Sequence, residues 1–266
     1  MNIFLRELKA NYKSLIIWCV SQYLLILVGM VKYSGFSSSG TDVNQIFNSM
    51  PEGLKAVFGI GSVDLTKVDG VYTIFFAYFL LLAAIHACML GAVLISKEER
   101  DHSADFLFAK PVTRSRVITA KLLAGLFNIV VFNLVTFVGS VVHVAQYNTS
   151  GVSLNGKIAY LMLAMFFFQV TFLAIGIALG ANLRTAKGAT SAATAIILGT
   201  YFLSVGIDMN ANLDFLKFFS PFKYFDPKSL MFGGTYTWWA LVLCGLFTAA
   251  SLVCAYGRFG KRDLAV

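Results

Sequence analysis

The chain has 266 residues, 58% hydrophobic and only 13% charged, where a soluble domain carries about 45–50% apolar and about 25% charged residues. Its mean hydropathy of +0.75 comes in blocks long enough to cross a hydrocarbon core of about 30 Å as helix, which excludes a soluble globular enzyme. The formal charge of +8 invites a nucleic-acid reading, which the placement of that charge removes.

Six blocks qualify as spans: residues 14–31, 71–95, 117–142, 158–181, 188–207 and 237–256. They are too long for the strands of a membrane barrel, which take about 9–11 residues of alternating pattern. Helices satisfy every backbone group within the segment, as lipid requires. The expected fold is an all-α membrane bundle forming a single domain over residues 1–266.

Before the first block, "NIFLRELKANYK" places Phe4, Leu5, Leu8 and Tyr12 on one helical face, with Arg6, Glu7, Lys9 and Lys13 elsewhere. A short amphipathic helix at the membrane interface fits this pattern, as does a plain positively charged flank. The first span lacks a small-residue cleavage site and is expected to remain as an anchor. Residues 32–70 form a long loop, in which "NSMPEGLKAVFG" offers a cap at Ser49, Pro51 at a helix start and Gly59 at its end. The apolar Leu54, Val57 and Phe58 would lay that helix on the membrane surface or on the bundle.

The fourth block contains "GIALG" (Gly176, Gly180), and the fifth opens with "GATSAATA". Small residues let helix backbones approach closely, so both mark tight helix packing, with the partner left open. Residues 208–236 include "LDFLKFFSPFKYFDPKSLMFGG", too aromatic for a solvated loop and interrupted by Pro221 and Pro227. Short external helices before the last span, interfacial or re-entrant, fit this segment, as does an aromatic belt.

With the N-terminus inside, the cytosolic side carries fourteen basic and six acidic residues, and the far side seven of each. The net charge thus lies on one face, as the positive-inside rule requires. The basic character reports topology, with both termini cytosolic, and no nucleic-acid partner is needed.

The spans carry no Asp, Glu, Arg or Lys away from their ends, so a proton- or sodium-coupled carrier lacks its usual relay. His86 and Gln169 read as groups that hydrogen-bond between helices rather than as ligands. Cys19, Cys88, Cys244 and Cys254 have no metal-ligand spacing and read as small buried residues. "GVSLNGKI" (151–158) follows the phosphate-loop pattern up to its lysine, but Ile158 stands where Ser or Thr must bind a metal. No catalytic, cofactor-binding or metal site is expected, so energy for active transport would have to come from another subunit.

The remaining signal is "SKEERDHSADFLFAKPVTRSR" (96–116), which concentrates nine charges between two spans. At about 2.5–3.5 kcal/mol per charge at mid-bilayer, the stretch would cost about 25 kcal/mol to bury in lipid. It belongs in the cytosol. Nothing breaks a helix from Lys97 to Ala109, and Pro111 then ends it. "DFLF" supplies apolar anchors between charged shoulders, which suits docking into a groove of a cytosolic partner. Folding back against the bundle is the other option open to it.

The stretch "SKEERDHSADFLFAKPVTRSRVITAKLLAG" resembles the permeases of the type-2 family of ATP-binding-cassette (ABC) transporters. The matching residues are Glu98, Glu99, Pro111, Thr113, Arg114 and Lys121. "SPFKYFDP" before the last span and "FGKRDLA" after it are similar too. "HSADFLFAKPVTR", with Asp105 and Phe106, departs from the family pattern. The resemblance implies a permease of an ATP-driven exporter, paired with a second permease, identical or related, above two cytosolic ATPase subunits that bind ATP and Mg. It makes the N-terminal segment an interfacial elbow helix and residues 208–236 an outer gate. It makes Glu98, Glu99, Asp105, Phe106, Leu107, Phe108, Pro111 and Arg114 the ATPase-coupling residues of a cytosolic coupling helix. The expected location is a bacterial cell membrane, in contact with lipid, and the substrate an amphipathic peptide, antibiotic or other hydrophobic compound. The alternatives are a non-transporting immunity or scaffold subunit that docks a cytosolic factor, and a self-contained channel or carrier.

Overall fold

The structure, a computed structural model, describes residues 3–38, 43–57, 63–100, 113–148, 151–183 and 185–261. Among these, no residue lies in a strand. The described residues form eight α-helices, in order α1 Ile3–Ser38, α2 Val43–Asn48, α3 Glu52–Val57, α4 Val68–Arg100, α5 Arg114–Tyr147, α6 Asn155–Asn182, α7 Ala186–Met209 and α8 Trp238–Lys261. Six of them (α1, α4, α5, α6, α7 and α8) are long and apolar enough to cross a membrane. The chain is an all-helical multi-pass membrane protein.

The two most deeply buried spans, α4 and α6, pack along each other at the centre. On one side α1 and α5 pair and lean on α4; on the other, α7 rests on α4 and α8 on α6. The close approach of α4 and α6 has a direct cause. A Cβ on Gly176 would stand 2.1 Å from the Cys88 carbonyl oxygen, one on Gly91 2.4 Å from that of Leu173, and one on Gly180 2.7 Å from that of Ala92. Only glycine fits at these positions, because the obstacle is backbone rather than a movable side chain. The partner of "GIALG" is therefore the second span of the same chain. In "GATSAATA", Ala189 and Ala193 are buried, while Ser191, Thr194 and Ala195 are exposed.

The N-terminal segment is not a separate element: α1 runs unbroken from Ile3 to Ser38. Its buried face also differs from the expected one. Glu7 and Asn11 are buried, whereas Leu5 and Tyr12 are exposed. The same inversion continues along α1, with Gln22 buried and Ile16, Ile17, Val20 and Leu24 exposed. In lipid the apolar face has a favourable solvent outside, so the polar face turns inward to find partners.

Ser49 does not cap α3. Its hydroxyl donates to the Ile46 carbonyl at 2.7 Å, closing α2 instead. The Pro51 carbonyl accepts from the amides of Leu54 and Lys55 at 2.9 and 3.1 Å, which starts α3 there. Gly59 and Phe58 lie outside the described residues. Leu54 and Val57 are exposed, and α3 packs against α7.

Between α7 and α8 the chain forms short 3₁₀ segments (Ala211–Phe219 and Pro221–Lys223) and a π segment (Ser229–Gly233). This region does two things at once. Phe222 wedges among Phe168, Phe172 and Tyr201, with ring centroids 5.0, 5.7 and 5.5 Å away. Phe225, Leu230 and Met231 are buried beside it, while Phe215, Phe219, Phe232 and Trp238 are exposed as an aromatic rim. Tyr236 then clamps the entry to α8: its amide donates to the Tyr160 hydroxyl at 2.7 Å and its own hydroxyl to the Tyr160 carbonyl.

Candidate functional site

Six crossings bring the start of α1, the end of α4, the start of α5 and the end of α8 to the same end of the bundle. There α4 overruns its apolar block and stays helical through Glu98 and Glu99 to Arg100. Asp105, Phe106, Leu107, Phe108 and Pro111 lie outside the described residues. The chain resumes at Thr113, extended at φ −71° and ψ 145°, and α5 begins at Arg114.

A buried charge cluster braces this end. The Lys121 ammonium on α5 lies 3.8 Å from the Glu7 carboxylate on α1, and both side chains are fully buried. Lys121 also donates to the Leu94 carbonyl on α4. Arg6 reaches Glu7 from the rim at 3.0 Å. Three helices therefore meet on one lysine. Lysine suits the task, because its compact ammonium carries three donors and can serve a carboxylate and a carbonyl at once.

A second set of bonds joins α5 to α8. Arg114 donates to the Phe259 carbonyl at 3.1 Å, and the hydroxyls of Thr119 and Tyr256 pair at 2.8 Å. Of the expected coupling residues, Arg114 is the one whose side chain the structure describes, and it holds the last span. The segment 101–112 is thus flanked by the Lys121 tie, which grips α4 six residues before Arg100, and by the Arg114 tie at its far end.

These bonds tie α1, α4, α5 and α8 to one another at this end of the bundle. Among the described residues, no group of three or more His, Cys, Asp or Glu could hold a metal ion. Further into the bundle, Asn133 donates to Gln169 between α5 and α6, the inter-helix role expected of Gln169. His86 differs. It stacks on Phe132 at 4.9 Å, and its Nδ1 meets no hydrogen-bond partner. Cys88 and Cys244 are buried, but Cys254 is exposed and accepts from Asn182 at 3.2 Å.

A family model described as "ABC-2 family transporter protein" matches residues 1–264. The chain belongs to the ABC-2 transporter family. Comparison with curated proteins finds no match. Family membership makes this chain a transporter permease, the membrane component of a system that associates with ABC ATPases. In this ABC-2 permease, sequence reasoning missed two features. Glu7 stands off the apolar face of the N-terminal segment and drew no separate reading, although Asn11, Trp18 and Gln22 continue its face at helical spacing. Gly91 went unremarked within "AAIHACMLGA", whose Ala84, Cys88 and Gly91 form a small-residue stripe.

Proposed function

We propose that this ABC-2 permease forms the translocation path of an ATP-driven exporter and takes its power stroke through residues 97–116. One observation carries the reading most strongly. The ends of that segment are gripped by buried or helix-capping bonds, Lys121 to Leu94 on one side and Arg114 to Phe259 on the other. A push on the segment would therefore move α4, α5 and α8 together rather than dissipate in a loop. Phe106, Leu107 and Phe108 are the anchors that would seat in the ATPase, with Glu98, Glu99 and Asp105 as a charged rim.

In this reading the termini and the segment are cytosolic, in agreement with the basic bias of that side. Two ATPase subunits bind ATP and Mg beneath a pair of permeases in a bacterial cell membrane, and the pair is a homodimer or a heterodimer. The substrate is an amphipathic peptide, antibiotic or similar hydrophobic compound, consistent with a bundle whose outer segments are compact and whose spans carry no ionic relay.

The test is purification of the tagged chain from its native host in mild detergent, with mass spectrometry of what co-elutes. A stoichiometric soluble protein carrying a phosphate loop is expected, and its ATP hydrolysis should respond to the transported compound. Elution of the chain alone, under conditions that preserve known transporter assemblies, would overturn the reading in favour of a scaffold or immunity role.

A further inference from the structure

Six crossings put the start of α4 and the end of α7 at the end of the bundle away from the termini. There α3, α4, α7 and the segment after α7 surround a cavity of about 90 Å³. That is room for about three waters at about 30 Å³ each, and so for a head of a few non-hydrogen atoms. From Asp208 to Tyr201 its wall follows α7 for about two turns, or about 10 Å.

Four charged side chains line it: Asp208 at the end of α7, then Lys223, Asp226 and Lys228 from the segment that follows. Their charges cancel. The lining between them is largely apolar or aromatic, with Leu80, Val205 and Phe222, and the Tyr201 ring edge-on to Phe222 at 5.5 Å.

The protein uses these charges unequally. Lys223 donates to Asp208. Asp226 spends one carboxylate oxygen on the Ser229 amide at 3.0 Å, which leaves the other. Lys228 makes no hydrogen bond or ion pair among the described residues. Asp226 and Lys228 are both half-buried. One uncommitted carboxylate oxygen and one uncommitted ammonium therefore line the same small space.

We propose that this cavity binds a small zwitterion, a head carrying an ammonium and a carboxylate or phosphate a few atoms apart. Charge complementarity selects it. A cation drawn to Asp226 must also approach Lys223 and Lys228, and an anion drawn to Lys228 must approach Asp208 and Asp226. A neutral head displaces water from charged groups and returns no ionic contact. A zwitterion answers both signs, and its methylene carbons pack on Phe222 and Tyr201. A free amino acid and the ethanolamine phosphate head of a lipid share this chemistry. The site does not depend on the ATPase pairing, so either proposal can fail without the other.

The experiment uses the full chain, washed free of lipid in dodecyl maltoside, which is itself uncharged. It is titrated with radiolabelled glycine and β-alanine, with acetate and methylammonium as competitors. Saturable binding of at least one amino acid is expected, with each singly charged competitor needed at about ten-fold or higher concentration. Asp226→Asn keeps an acceptor for the Ser229 amide but removes the charge, and should weaken binding about ten-fold. Lys228→Met should do the same, in keeping with the loss of a hydrogen bond to a charged group. Phosphatidylethanolamine added to the micelles separates the two sources: displacement of the amino acid assigns the site to a lipid head, and retention assigns it to a free amino acid. No saturable binding of either amino acid to the unaltered chain would overturn the proposal. So would displacement by acetate at equal concentration with Asp226→Asn without effect, which would make the cavity a simple anion site.

Discussion

The Lys121 ammonium lies 3.8 Å from the Glu7 carboxylate, with both side chains fully buried. This pair joins the first and third spans, and the lysine's further bond to the Leu94 carbonyl brings in the second. Each residue stands near the start of its helix, yet neither side chain reaches the surface. Being buried, they depend on each other instead.

Lys121→Met should therefore destabilise the protein strongly. Breaking a buried pair by removing one partner costs about 3–5 kcal/mol, and the lower end is expected because Arg6 stays within 3.0 Å of Glu7. The double variant Glu7→Gln/Lys121→Met should recover much of the loss, since no charge is then left buried alone. Thermal unfolding in detergent reads both. Equal midpoints for the wild type and Lys121→Met would remove the structural role assigned to the pair.

Gly176→Leu and Gly199→Ala should differ sharply. At Gly176 even a Cβ meets the Cys88 carbonyl oxygen at 2.1 Å, so α4 and α6 must separate; at Gly199 nothing lies within 4 Å. The first change should lower the melting midpoint by many degrees. The second should leave it level or raise it slightly, because alanine in a helix interior is favoured over glycine by about 1 kcal/mol. Similar midpoints for the two variants would contradict the glycine contact as the cause of close packing.

If Phe106, Leu107 and Phe108 are the anchors for the ATPase, replacing any one by Asp should matter only to coupling. Membrane insertion and the melting midpoint should stay normal, while co-purification of the ATPase falls by about ten-fold or more, in keeping with loss of a hot-spot contact of about 2 kcal/mol. Full ATPase association and transport in all three variants would sink this assignment.

Asp64, in the loop between α3 and α4, gives a pH dependence. Hydrogen bonds from the Thr66 hydroxyl, from the Asn44 carboxamide and from the Thr66 amide, with a lesser pull from Lys67, hold its pKa down at about 2. The distances are 2.6, 2.9 and 3.0 Å. A depressed carboxylate pKa contributes stability that is full above the unfolded value of about 3.9 and is lost as pH falls toward the folded value of about 2. Amide hydrogen exchange at Leu65 and Thr66 should therefore lose protection between about pH 4 and pH 2, with Asp64→Asn already less protected at neutral pH. Exchange in the wild type that follows only the intrinsic pH trend would count against the Asp64 network.

The six helices were legible because membrane insertion is decided segment by segment. Each apolar block must be long enough and uncharged enough whatever its neighbours do. The true helices overrun their blocks, as α1 does from Ile3 to Ser38 around a block of 14–31, because hydrogen bonding continues where hydropathy stops. "GIALG" was readable as a contact but not as a contact with α4. The small residues Cys88, Gly91 and Ala92 answer it from more than eighty positions away, and nothing local pairs the two stripes.

Composition and order alone determined the membrane class, the number of spans and the resemblance to ABC-2 permeases. Each of these follows from transfer between water and lipid or from local pattern. The rotation of each helix about its axis was decided only by tertiary structure. Lipid is nearly as apolar as a packed core, so hydropathy does not say which face turns inward. Packing settled it: Glu7 and Asn11 turned in and Leu5 and Tyr12 out, Lys121 came to rest between two neighbouring helices, and His86 was stacked on Phe132.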